Sequence, residues 1–135
     1  MPRYVVSRAT EGLNQLGKPV RGSKVLVCGI SYKPDIDDVR ETPAAEIIKL
    51  LADLGAEVSY HDPHVPHFPR MRKHDFDMDS VELTKETLRS CDCVLIVTNH
   101  KGMDYELIAR ESKLIVDTRN AMDGIEGVNG ILVQA

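Results

Sequence analysis

Apolar and polar positions alternate along this chain with two different periods. Near the start, Tyr4, Val5, Val6, Leu13 and Leu16 fall roughly on one face of a helix. That helix begins almost at residue 1 and stops at Gly17, Lys18 and Pro19. Residues 24–30 are a continuous run rich in Val, Leu and Ile, as expected of a strand buried on both faces. Thr42 then offers an N-cap, and Pro43 a first helical position where no backbone donor is lost. Ala44, Ile47, Ile48, Leu50, Leu51 and Leu54 repeat at helical spacing until Gly55 closes the pattern. Further strands are expected over 57–60, 93–98 and 113–117, with a last edge strand over 130–133. Helices are expected over 81–90, capped by Ser80, and over 103–110. Residues 61–79 form a long polar loop containing Pro63, Pro66 and Pro69.

Strand and helix in strict alternation predict a three-layer α/β sandwich around a mainly parallel sheet, preceded by the N-terminal helix. Ligands of such sheets sit outside the carboxyl ends of the strands. Here those ends are residues 29–40, 61–62, 98–100 and 117–120, and all four are polar. The chain divides into residues 1–20, a helical lead-in, and residues 21–135, the sheet domain. A half-buried helix at the very start reads as a piece of something longer.

Composition narrows the function. The chain has 135 residues, of which 42% are apolar and 28% charged, an ordinary balance for a single globular domain. A net charge of −4 offers no basic field for nucleic acid or an acidic membrane. No apolar run approaches a membrane span or a signal core, and three cysteines without such a signal read as reduced thiols in the cytoplasm.

The chemistry concentrates in CGISYKPDIDDVRETP, residues 28–43, where a glycine-rich phosphate cradle would otherwise stand. Tyr32 and Lys33 would block the close approach of a pyrophosphate to bare backbone. They suit a ring stacking on a base or ribose and an ammonium for a phosphate, while Arg40 adds a charged fork. The same charged residues also read as a solvated surface mesh, and the pattern alone leaves both readings open. Asp62 ends the second strand, where an acidic residue often meets a ribose hydroxyl. His61, His64, His67 and His74 lie in a proline-interrupted segment without a thiolate or a known ligand spacing, so no metal is expected. Cys28 reads as a small buried hydrophobe, and neither Cys91 nor Cys93 has an obvious cationic setting. His100 is read as a hydrogen-bonding loop residue rather than a base, and Arg119 as an anion contact.

Together these stretches resemble a known family. GISYKPDIDDVRETPA is similar to the signature that opens the C-terminal domain of the UDP-glucose/GDP-mannose dehydrogenase family. LGAEVSYHDPHVP, VLIVTNH and KLIVDTRNAM continue the match in order over nearly the whole chain. The spelling of VTNHKGMDYELIARESKLIVDTRNAM most resembles the branch acting on UDP-N-acetylhexosamines. The resemblance implies a Rossmann-like domain that covers a UDP-sugar. It also implies a preceding portion holding the NAD site and a nucleophilic cysteine, so no catalytic residue is expected in this chain. The implied reaction oxidises a C6 hydroxyl to a uronic acid by two hydride transfers to NAD. By this resemblance Tyr32, Lys33 and Arg119 contact the UDP-sugar, and Arg40 reaches NAD across the cleft. Pro34 departs from the family, standing where a second lysine is common. The implied partners are the NAD-binding domain of the same polypeptide and further copies of the full-length chain.

Two other readings compete. One is a receiver-like signalling module, favoured by acidic residues after the first strand but lacking the acceptor aspartate in VLIVTNH. The other is a stand-alone nucleotide-binding regulatory module without catalysis.

Overall fold

Five strands form one wholly parallel sheet in the order β2-β1-β3-β4-β5: β1 (Lys24–Cys28), β2 (Glu57–His61), β3 (Cys93–Ile96), β4 (Leu114–Asp117) and β5 (Ile131–Gln134). This computed structural model describes residues 2–31, 33–35, 39, 42–70 and 76–135. Helices α1 (Pro2–Gln15) and α2 (Pro43–Asp53) cover one face, and α3 (Lys85–Ser90) and α4 (Tyr105–Glu111) the other. The three-layer sandwich expected from the alternation is therefore the observed architecture.

The layers follow from strand periodicity. In β1, Val25 and Val27 point into the core under α1 and α2, while Leu26 and Cys28 point into the core under α3 and α4. β3 and β4 do the same, with Leu95, Leu114 and Val116 on the first face and Val94, Ile96 and Ile115 on the second. A central strand without a solvent face has no polar positions to spare, which is why these segments read as unbroken apolar runs. The outer strands β2 and β5 keep partly exposed positions, as edges do.

Strand order reverses between β1 and β3. The chain leaves β1 for β2 on one side, and β3 is laid down on the other. Loops leaving neighbouring strands in opposite directions open a crevice at the carboxyl ends of β1 and β3. The charged loop after β1 thus lies where ligands of doubly wound sheets bind.

Element ends differ from expectation for local reasons. Thr42 caps α2 as expected, its hydroxyl accepting from the Ala44 amide at 3.2 Å. The next helix starts at Lys85 rather than Val81, because the Val81 amide donates to Tyr60 O (2.8 Å) and continues beside β2; Thr84 is the cap instead of Ser80. Asp104, with its side chain accepting from Leu107 N, starts α4 at Tyr105 instead of Met103. Tyr4 is 51% exposed and leaves the buried face of α1 to Val5, Val6, Ala9 and Leu13.

β1 stops at Cys28 because of Gly29. Its φ is +84°, a region that side chains disfavour, and a Cβ there would lie 2.4 Å from Thr98 O and 2.8 Å from Thr98 N. The chains leaving β1 and β3 touch backbone to backbone at this point. Gly29→Ala should therefore lower stability by about 2–4 kcal/mol, the combined cost of a left-handed alanine and a forced separation of two loops. Urea unfolding checks this, and an unchanged midpoint would contradict the packing described.

Candidate functional site at the carboxyl edge of the sheet

The site is organised by a carboxylate with no solvent access. Asp62 follows β2, and its side chain is fully buried. Its Oδ2 accepts from Ile30 N (2.8 Å), Ser31 N (3.3 Å) and His100 Nε2 (2.9 Å), and its Oδ1 from His64 N (2.8 Å). A buried carboxylate is tolerable only when its lone pairs are satisfied, and here donors from three segments satisfy them. The expectation that Asp62 meets a ribose hydroxyl is corrected: both oxygens already serve the protein, and the residue is 1% exposed.

His100 follows β3 and is also fully buried. Its Nδ1 accepts the Asp35 amide at 2.7 Å. A backbone amide only donates, so this nitrogen carries no proton and the ring is the neutral Nε2–H tautomer. That single N–H is shared between Asp62 Oδ2 (2.9 Å) and Ser31 Oγ (3.1 Å). The contact between His100 and Asp62 is therefore a hydrogen bond to a carboxylate rather than an ion pair. The tilted ring of His64 packs against His100, with centroids 4.6 Å apart.

The loop after β1 is stitched to the loop after β3. Thr98 Oγ1 donates to Ser31 O (2.7 Å), Ser31 Oγ to Lys33 O (2.8 Å), and Lys101 N to Asp35 Oδ1 (2.8 Å). Lys33 is exposed on this frame. Tyr32 and Arg40 fall outside the described residues, as do Asp37, Asp38, Glu41 and His74.

Arg119 follows β4. Asp117, buried at the strand end, accepts from Arg119 N (3.0 Å), Ala121 N (3.1 Å) and Met122 N (2.9 Å), which folds the chain sharply back. Arg119 Nε donates to Val97 O (3.0 Å), so the guanidinium lies against the end of β3. It lines a largely apolar cleft of about 240 Å³ with Pro2, Val5, Pro43 and Ile47. The Lys33 carbonyl is linked to Thr98 through Ser31, and the Arg119 side chain reaches Val97 directly, so both residues belong to the carboxyl edge.

The histidines of the loop after β2 separate by partner. His61 Nδ1 lies 2.8 Å from Val81 O, His67 Nδ1 lies 2.6 Å from Asp79 Oδ1, and His64 stacks on His100. Neither sequence spacing nor residue type pointed to Asp62, His100, Ser31 and Asp35 as one network, since they come from three loops. The only trace in the sequence is that each polar residue follows a buried strand directly or within a few positions.

Among the described residues, the β1 turn offers no cradle for a resident dinucleotide. The bare face of Gly29, which a pyrophosphate would need, is filled by the Thr98 backbone. NAD does not fit this turn.

A wholly parallel, doubly wound sheet whose strand order reverses between β1 and β3 is the architecture shared by nucleotide-binding domains. Residues 26–124 match the model of the UDP-glucose/GDP-mannose dehydrogenase family, UDP binding domain. The chain belongs to that family, through this domain. It is 29% identical over 131 residues to UDP-N-acetyl-D-mannosamine dehydrogenase of Methanococcus maripaludis, covering 91% of this chain and 28% of that protein. It is 32% identical over 109 residues to UDP-glucose 6-dehydrogenase of Rhizobium meliloti, covering 77% of this chain and 24% of that protein. Among solved structures, a UDP-glucose dehydrogenase from Pyrobaculum islandicum superposes with a TM-score of 0.69 at 30% identity, over 98% of this chain and 28% of the other. The chain thus spans under a third of the length of these relatives. Family membership removes the receiver-like reading, which strand order alone would permit.

The three cysteines are free and buried. Burial, reinforced by Cys91 and then Asp92, pushes the Cys93 thiol up to about 12. Burial raises Cys28 further and Cys91 as well. At pH 8 Cys93 would then be ~10⁻⁴ thiolate, so it is no nucleophile. In the native protein, Cys28 and Cys93 should resist a thiol-specific disulfide reagent at pH 8 and react only on unfolding. Rapid native labelling of either would refute their assignment to the core.

Proposed function

We propose that this chain is the substrate-gripping domain of an NAD-dependent UDP-sugar 6-dehydrogenase. The observation that carries the reading is that the Lys33 backbone, through Ser31 and Thr98, and the Arg119 side chain, through Val97, are held at the same end of β3 although 86 positions apart. Two cations on a rigid edge suit the diphosphate of a nucleotide-sugar, which carries charge on both phosphoryl groups. Tyr32 beside Lys33 would stack on the uracil or ribose. The chain binds and orients the substrate; oxidation and the nucleophilic thiol belong to a second domain of a longer polypeptide. There Arg40 would reach from this domain toward the cofactor. A UDP-N-acetylhexosamine is the favoured substrate, because the spelling of residues 97–122 resembles that branch and several relatives are UDP-N-acetyl-D-mannosamine dehydrogenases.

Titration calorimetry tests the grip. The 135-residue chain should bind UDP with a dissociation constant in the micromolar range or weaker, since only one wall of a two-domain cleft is present. Lys33→Ala and Arg119→Ala should each weaken binding about tenfold, the loss of one charge-assisted hydrogen bond. Unchanged affinity in both variants would sink the reading.

In the longer enzyme, Arg40→Ala should raise the Michaelis constant for NAD about tenfold and leave that for the UDP-sugar unchanged, with Lys33→Ala doing the reverse. Arg40→Lys should not restore NAD use, because an ammonium lacks the planar fork. Equal effects on both substrates would argue for a structural role of the loop.

A further inference from the structure

We propose that His100 is a positioning residue for the phosphate-gripping loop. Locked as the Nε2–H tautomer, it is the strut through which buried Asp62 sets the place of Ser31 and Asp35, and with them Lys33. The inference rests on the reading of Lys33 as a contact to a nucleoside diphosphate.

The two ring nitrogens do different work. Nε2–H points at Asp62, which is held by β2 and cannot move without exposing a charge. Nδ1 takes the amide of Asp35, a residue in left-handed conformation at φ +62°. The ring thus bridges the rigid sheet edge and the far end of the loop, a span that no backbone hydrogen bond closes among the described residues. Ser31 Oγ contacts the same Nε2 and donates to Lys33 O, so the near end of the loop is tied to the same ring. Tyr105 at the start of α4 donates to His100 O (2.7 Å) and fixes the backbone behind the ring. His64 closes the remaining side.

A metal reading of the same cluster fails on geometry. Asp35, His64 and His100 bring one carboxylate and two imidazoles within 4.8 Å of one another. His100 Nδ1 already accepts the Asp35 amide and its Nε2–H faces Asp62 and Ser31, so the ring has no lone pair left for a cation.

Three measurements on the 135-residue chain test the strut. Long-range ¹⁵N–¹H correlation should show His100 with a protonated Nε2 and a bare Nδ1 at pH 7.5. An Nδ1–H tautomer or an imidazolium would overturn the proposal. His100→Gln retains a donor toward Asp62 but brings no acceptor to Asp35, and it should keep a near-native thermal midpoint. Its Asp35 amide should exchange at least tenfold faster, and its affinity for UDP should fall at least fivefold. His100→Asn places an oxygen near the Nδ1 position and should recover most of the Asp35 protection, which also serves if the Gln variant fails to fold. Unchanged Asp35 exchange in His100→Gln would overturn the strut. Faster exchange with unchanged UDP affinity, where Lys33→Ala does weaken UDP, would overturn the positioning role. If Lys33→Ala itself leaves UDP affinity unchanged, the reading of Lys33 fails with it, and the loop exchange data still decide whether His100 is a strut.

Discussion

A carboxylate placed where water cannot reach it must be answered by protein donors, and Asp62 imposes that demand on the whole carboxyl edge of the sheet. Its partners are Ile30 and Ser31 after β1, His64 after β2 and His100 after β3. None of these segments could relax outward without leaving a buried charge unsatisfied. The loops of an α/β sheet are ordinarily its most mobile parts. Here three of them are closed on one another at the point where strand order reverses, with Lys33 exposed on the first, while Arg119 comes from a fourth loop, after β4, braced against Val97.

The contact between Gly29 and Thr98 is the second constraint. In dinucleotide-binding turns, glycine leaves room for a pyrophosphate to approach backbone. In this chain the corresponding room holds the backbone of the neighbouring loop. The phosphate contacts proposed for this domain would therefore fall to side chains rather than to bare amides of this turn. Long cationic side chains reach across a cleft in a way that amides do not. That is consistent with a domain acting as one wall of a two-part site.

Ionic and sulfur groups away from this rim are structural. Asp92 lies at the opposite, amino end of the sheet, where it accepts from Lys24 N (2.9 Å) and pairs with Lys18, binding the segment after α1 to the start of β1 and β3. Burial opposes its ionisation, but the Lys18 ammonium and the Lys24 amide hold its carboxyl below the usual range. The cysteines fill space in the core.

Much of this was legible from residue order alone. Strands buried on both faces announce themselves as unbroken Val/Ile/Leu runs, and the α2 start was readable because Thr42 and Pro43 satisfy local backbone chemistry. Arg119 and Lys33 stood out as cations at strand ends, and the family was legible from linear motifs. What pattern could not supply was any relation between loops. Asp62 looked like a ligand contact because sequence shows that a carboxylate ends a strand, not how many amides converge on it. His100 looked like an isolated loop histidine because its partners lie 38 and 65 positions away. Val81 fitted a helical period, yet its amide was claimed by Tyr60 across the sheet edge. Local propensity and periodicity are written residue by residue and so determined the layers. Hydrogen-bond satisfaction at the crevice is a property of segments that meet only after the sheet has formed, and it was decided by the tertiary structure alone.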